Sequence, residues 1–207
     1  MPSFLHVGCG PERGSATTIG MRHPDWEEIR LDIDPASEPD IVASLVDMSA
    51  VADASVDALY SSHNIEHLYA HEVPTALAEF KRVLKPDGFA IITCPDLQSV
   101  AELVVDDKLT EEVAPGSMVA AIDIIYGYRM AVADGQTYMA HHCGFTAKVL
   151  SLSLMMARFG GRRVAQRKTP HFDLWAVATP AVSNAQRLDR LERLYLPTSD
   201  EFQKASE

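Results

Sequence analysis

No apolar run in this chain of 207 residues approaches the ~20 residues needed to cross a membrane. The start does not read as a secretory leader. Gly8, Cys9, Gly10 and Pro11 break the first apolar stretch almost at once, and no Lys or Arg precedes it. Cysteine is scarce. Cys9, Cys94 and Cys143 are scattered, odd in number and without a CxxC pair. That argues against a disulfide framework or a zinc knuckle, and the expectation is free thiols in a reducing cytoplasm. Positive charge is also short: 18 Lys and Arg stand against 29 Asp and Glu, a net charge of −11. Such a surface repels phosphate backbones and anionic headgroups, so no nucleic acid and no membrane is expected as a partner. Arg158, Arg162, Arg163 and Arg167 form a local basic patch, which suits an anionic group or simple solubility. Repeats and low-complexity segments are absent. What is present is a hydrophobic fraction of 47%, enough for the core of one domain of ordinary size.

The organising stretch is Phe4-Leu5-His6-Val7-Gly8-Cys9-Gly10, with Leu31-Asp32-Ile33-Asp34 downstream. A short apolar run ends in glycines, and a second ends in acid. A buried parallel strand turning tightly into a loop, beside a strand that presents a carboxylate, has this appearance. It is how an α/β sheet makes room for a nucleoside. Residues 4–8, 28–33, 41–46, 56–61 and 89–94 read as five such strands. Residues 11–26 are too rich in turn formers for a helix. Residues 71–84 have helical spacing and stop at Lys85-Pro86-Asp87-Gly88. Residues 97–105, 117–133 and 146–159 read as helices, the last capped by Thr146. Residues 162–168 and 173–178 are strands joined too closely to be anything but antiparallel. A final helix, 184–196, carries Leu188, Leu191, Leu194 and Tyr195 on one stripe. It either packs on its own domain or meets a second copy in a homodimer. Residues after Pro197 are polar and read as a frayed tail.

The chain resembles the class I S-adenosylmethionine-dependent methyltransferases, and within them the small bacterial type 11 group. The matching pieces, in order, are LHVGCG (5–10), LDIDP (31–35), VDM (46–48), DASVD (53–57), SSHNIEHL (61–68), EFKRVLKPDGFAIITCPDL (79–97), IYG (125–127) and HHCGFTAKVLSLSLMMARFGG (141–161). Together they span residues 4–180. Three features depart from the pattern. His6 stands where many relatives carry an acid, the third glycine of the loop is displaced to Gly14, and the segment between Asp47 and Asp53 is short.

The resemblance implies an α/β fold: a Rossmann-like seven-stranded, mostly parallel sheet with a terminal antiparallel hairpin and helices on both faces. It implies a methyltransferase domain over 1–182, with 97–141 as a helical insertion and candidate acceptor lid, followed by a C-terminal helix and tail over 183–207. S-adenosylmethionine is the implied cofactor. Gly8 and Gly10 would let the backbone approach its methionine moiety. Asp32 would hold the ribose hydroxyls, with Asp34 the competing ligand. Ile33 would cover one adenine face, Asp47 would accept from the adenine amino group, and Met48 would flank the ring. The Ser62 carbonyl would receive the methionine ammonium.

Methyl transfer from a sulfonium is an in-line displacement, so the protein mainly aligns an acceptor lone pair, and a hydroxyl acceptor needs a base. His63 and His141 are the candidate bases, with His67 behind them and His142 beside His141. Because the sequence opens directly on its first strand, the insertion is expected to exclude water. Met118, Ile122, Ile125, Tyr126, Tyr128, Met130, Tyr138 and Met139 could line it, with Tyr126 and Tyr138 the foremost acceptor contacts. A metal site is not expected. His63 and His67 have i, i+4 spacing, but HNIEH is not HExxH, since its glutamate adjoins the second histidine and points elsewhere on a helix. The reading is a cytoplasmic enzyme that methylates a hydroxyl or amine of a small-molecule or sugar-like acceptor. Its rivals are an NAD-dependent Rossmann oxidoreductase and a non-catalytic S-adenosylmethionine-binding protein.

Overall fold

The computed structural model describes residues 1–197, so the expected frayed tail lies outside the described residues. One seven-stranded sheet organises them: β1 (Ser3–Val7), β2 (Glu27–Asp32), β3 (Ile41–Val42), β4 (Val56–Ser62), β5 (Leu84–Pro95), β6 (Gly161–Arg167) and β7 (Asp173–Thr179). Their spatial order is β3-β2-β1-β4-β5-β7-β6. The first five strands pair in parallel, and β7 runs antiparallel to both β5 and β6. The expected parallel sheet with a terminal hairpin is therefore present.

Alternation along the strands builds two cores. Leu5, Val7, Leu59, Ala90 and Ile92 face one side, where Leu77 and Phe80 of α1 (Val73–Val83) and Leu150 and Leu154 of α5 (Ala147–Met156) meet them. Helix α1 buries Val73, Ala76, Leu77, Phe80 and Val83, a 3.6-residue stripe. Phe4, Ala58, Tyr60, Ile91 and Val177 face the other side, under Leu188 and Leu191 of α6 (Ala185–Tyr195). Here residues 8–26 form only short 3-10 turns, as their glycines and prolines dictate. The Trp26, Phe89 and Tyr195 rings fill the space that a helix would otherwise cover. Helix α6 thus packs on its own sheet, although Leu194 is exposed and Leu196 takes its place in the core.

Three expectations are corrected. Strand β3 is two residues long because the chain turns back at Ser44–Asp47. The expected helix over 117–133 is two short ones, α3 (Ala121–Tyr126) and α4 (Arg129–Ala133). They break at Gly127, whose φ of +95° and contact with the Met139 carbonyl, 2.1 Å from where a Cβ would lie, admit no side chain. Helix α5 ends at Met156, and Phe159 beyond it is buried in the core. Helix α2 (Leu97–Val105) forms as expected, capped by the Asp96 carboxylate on Gln98 N–H. No helix of the described residues is long and apolar enough to cross a membrane.

Candidate active site

The sheet order reverses between β1 and β4, and the carboxyl ends of these strands open a crevice where α/β folds bind ligands. The glycine loop leaves β1 there. Gly8 and Gly10 take φ of +58° and +52°, which L side chains rarely adopt. Their surroundings differ. A Cβ on Gly8 would lie 1.9 Å from the Asn64 Oδ1, so this glycine makes room for a neighbouring side chain. A Cβ on Gly10 would meet nothing within 4 Å. The Asn64 amide lies across the reversal point, donating from Nδ2 to the carbonyls of Val7 at 2.9 Å and Ser62 at 3.0 Å.

Asp32, at the tip of β2, accepts from Gly10 N–H at 2.7 Å and from Asp34 N–H at 2.8 Å. It holds the glycine loop against the second strand. Arg30 completes that clamp from beneath. Its buried guanidinium donates to the carbonyls of Glu12, Glu38, Gly10 and Ser37. Sequence reasoning missed Arg30, whose only signal is a basic residue between Ile29 and Leu31 in a strand whose other charges are all acidic. His6 donates toward Glu28 of β2 at 2.8 Å, and the other Glu28 oxygen accepts from Gly14 N–H. The displaced glycine and the unusual histidine are thus parts of one contact.

A cavity of about 660 Å³ opens above these strand tips. Gly8, Gly10, Asp32, Ile33, Ser62, His63 and Tyr138 all line it, with Asp34, His67 and His142. Ile33 is 61% exposed and lends the cavity an apolar face. Met48, Asp47, Tyr126 and His141 are elsewhere, and so are Met118, Ile122, Ile125, Tyr128 and Met130 of the insertion. Met48 is fully buried in the core, and its N–H donates to Glu79. Asp47 lines a separate groove with Glu79 and Arg82. With β3 so short, the residues reaching the cavity from this segment are Ala43, Ser44 and Leu45. Tyr126 is 64% exposed and does not line the cavity. The insertion reaches the cavity only at its far end, through Gln136, Tyr138 and Met139, and the Tyr138 hydroxyl donates to Asp34 at 3.1 Å. His141 lies behind the cavity wall, its Nδ1 on the Ile124 carbonyl at 2.9 Å and its ring against His67.

His63 therefore faces the cavity without His141. It sits just past β4 with φ of +53°, a strained conformation for a side-chain-bearing residue. The Thr93 carbonyl holds its N–H, so the β4–β5 ladder imposes that turn. The ring is 47% exposed, with Nδ1 3.3 Å from the Glu66 carboxylate and Nε2 3.9 Å from Asp173. Desolvation works against its charged form, but the Glu66 and Asp173 carboxylates outweigh it and raise its pKa above the ordinary 6.5. Burial pushes Glu66 up, and the His63 and His67 imidazoles overcome that and hold it below the usual range. A histidine whose Nδ1 is turned to a carboxylate is a strengthened proton acceptor at its other nitrogen.

Residues 5–92 match the family described as a methyltransferase domain. No curated protein matches the sequence. Among solved structures, a protein of Pyrococcus horikoshii is 17% identical with a TM-score of 0.58, covering 86% of this chain and 81% of its own. A S-adenosylmethionine-dependent methyltransferase of Methanosarcina mazei is 16% identical with a TM-score of 0.58, covering 87% and 93%. The 1,6-didemethyltoxoflavin-N1-methyltransferase of Burkholderia thailandensis, solved with that compound and S-adenosylhomocysteine, is 15% identical with a TM-score of 0.54, covering 87% and 72%. At these identities the likeness is one of fold. The antiparallel β7 between β5 and β6 agrees with it and sets the chain apart from a purely parallel dinucleotide fold.

Proposed function

We propose that this chain, a class I S-adenosylmethionine-dependent methyltransferase, moves a methyl group to a hydroxyl, or else an amine, of a small-molecule or sugar-like acceptor. The observation that carries this reading is that one cavity is lined both by Gly10, Asp32 and Ile33 and by the His63 imidazole. The open space over Gly10 suits a ligand that needs close backbone approach. When bound, S-adenosylmethionine supplies an electrophilic methyl group on a sulfonium. Asp32 would hold the ribose hydroxyls with the lone pairs that Gly10 and Asp34 leave free. Ile33 and Leu45 would bracket the adenine. The ammonium would share the Ser62 carbonyl with Asn64. His63 would take the acceptor's proton, its Nδ1 steadied by Glu66. Tyr138, fixed by Asp34, would close the acceptor side against water.

The test pairs binding with turnover. In the His63→Ala protein, calorimetric affinity for S-adenosylhomocysteine should stay within about twofold, while methyl transfer to a hydroxyl acceptor falls by about 10²–10⁴. If turnover survives the substitution, His63 is not the base. If the wild-type protein binds neither S-adenosylmethionine nor its demethylated product, the whole reading fails.

A further inference from the structure

We propose that Glu66, His67 and His141 form a binding site for a divalent first-row transition metal of the zinc class, at the junction between the end of β4 and the close of the insertion. The ligand atoms of these three residues all lie within 4.8 Å of one another. Two histidines and one carboxylate are a donor set that zinc accepts.

The second observation is the state of Glu66. Its side chain is fully buried, and neither carboxylate oxygen accepts a hydrogen bond among the described residues. The His63 imidazole gives it one ion-pair contact, Nδ1 standing 3.3 Å from Oε1, and leaves Oε2 without a partner among the described residues. A buried carboxylate left so is costly, and native proteins compensate such groups. A cation held between it and the two imidazoles would do so.

The histidines are prepared for that role. Nδ1 of His67 lies 3.1 Å from the Ala140 carbonyl, and Nδ1 of His141 lies 2.9 Å from the Ile124 carbonyl. Each Nδ1 must therefore carry the proton, which leaves each Nε2 with a free lone pair. Metal-ligating histidines are held in this way by backbone carbonyls, which set both tautomer and ring direction. The frame is also rigid: the Glu66 carbonyl accepts from His142 N–H at 2.8 Å and Cys143 N–H at 3.2 Å, and the Tyr126 carbonyl accepts from His141 N–H. Ligands about 2.0 Å from a tetrahedral ion stand roughly 3.3 Å apart, so side-chain rotation of about 1 Å closes the set. His67 also lines the cavity, so a fourth position could hold water on that side.

This inference stands apart from the reading of His63 as base, since binding can be measured without turnover. The full-length protein would be stripped with chelator, then titrated with Zn²⁺ and, separately, Co²⁺. The expected result is uptake of one ion per chain, visible absorption from bound Co²⁺, and a Tm that rises on Zn²⁺ addition. Glu66→Gln, His67→Ala and His141→Gln should each lose that uptake. His23→Ala and His71→Ala, on exposed histidines, should keep it. Glu66→Gln preserves side-chain shape, and its circular dichroism without metal should match the stripped wild type. The proposal is overturned if the wild type takes up no stoichiometric ion, or if uptake persists in both Glu66→Gln and His141→Gln.

Discussion

Replacing Asp32 by alanine separates a binding role from a structural one. The carboxylate accepts two backbone N–H bonds, from Gly10 and Asp34, and is 8% exposed. Hydrogen bonds to a charged acceptor contribute about 1.5–3 kcal/mol each, and water entering the widened crevice recovers part of that. A net loss of about 3 kcal/mol is expected. For a domain of this length, 1 kcal/mol moves Tm by about 2–4 °C, so the variant should melt about 6–12 °C lower. On the proposed assignment, affinity for S-adenosylhomocysteine should fall further than this destabilisation explains, because the ribose would lose its acceptor and Gly10 loses its tether. Calorimetry at a temperature where circular dichroism shows both proteins folded isolates the binding loss. Unchanged affinity in the folded variant would refute the cradle assignment. A Tm within about 2 °C of wild type would refute the clamp.

Arg30→Lys should be as harmful as its conservative look is misleading. A planar fork now serves four carbonyls, and a point charge with three donors cannot reproduce it. A loss of about 2–4 kcal/mol, read by urea denaturation, is expected, with weaker S-adenosylhomocysteine binding because the same fork steadies Gly10. His6 gives a pH dependence. Burial pushes its imidazole below the ordinary 6.5, more than Glu28 raises it. The fold therefore favours the neutral ring. Above pH 6.5 both states are neutral; below it the unfolded chain takes a proton that the fold resists, so stability is lost as pH falls. His6→Gln should shrink the difference in urea midpoint between about pH 7.5 and about pH 5.5, and an undiminished difference would assign that acid sensitivity to other groups.

Periodicity and punctuation alone determined much of this protein. Short apolar runs bounded by turn formers specify β1, β4, β5 and β7, and the Val73-Ala76-Leu77-Phe80 stripe specifies α1, because a strand covered on both faces and a helix buried on one are each written in local sequence. The glycine bend and the acid at the tip of β2 were legible for the same reason, since each is a strand end. Only the tertiary structure decided what meets across the chain. A two-residue β3 withdraws Asp47 and Met48 from the cavity and admits Leu45. Gly127 breaks a helix because Met139 lies against it. His67 and Ala140 meet from 73 residues apart, and so bring His141 beside Glu66. Adjacent residues such as Glu66 and His67 diverge by about 120° on a 3-10 turn, and it is His141, arriving from the close of the insertion, that comes near both. No sequence period records such a meeting, because it depends on where distant segments are anchored by the sheet between them.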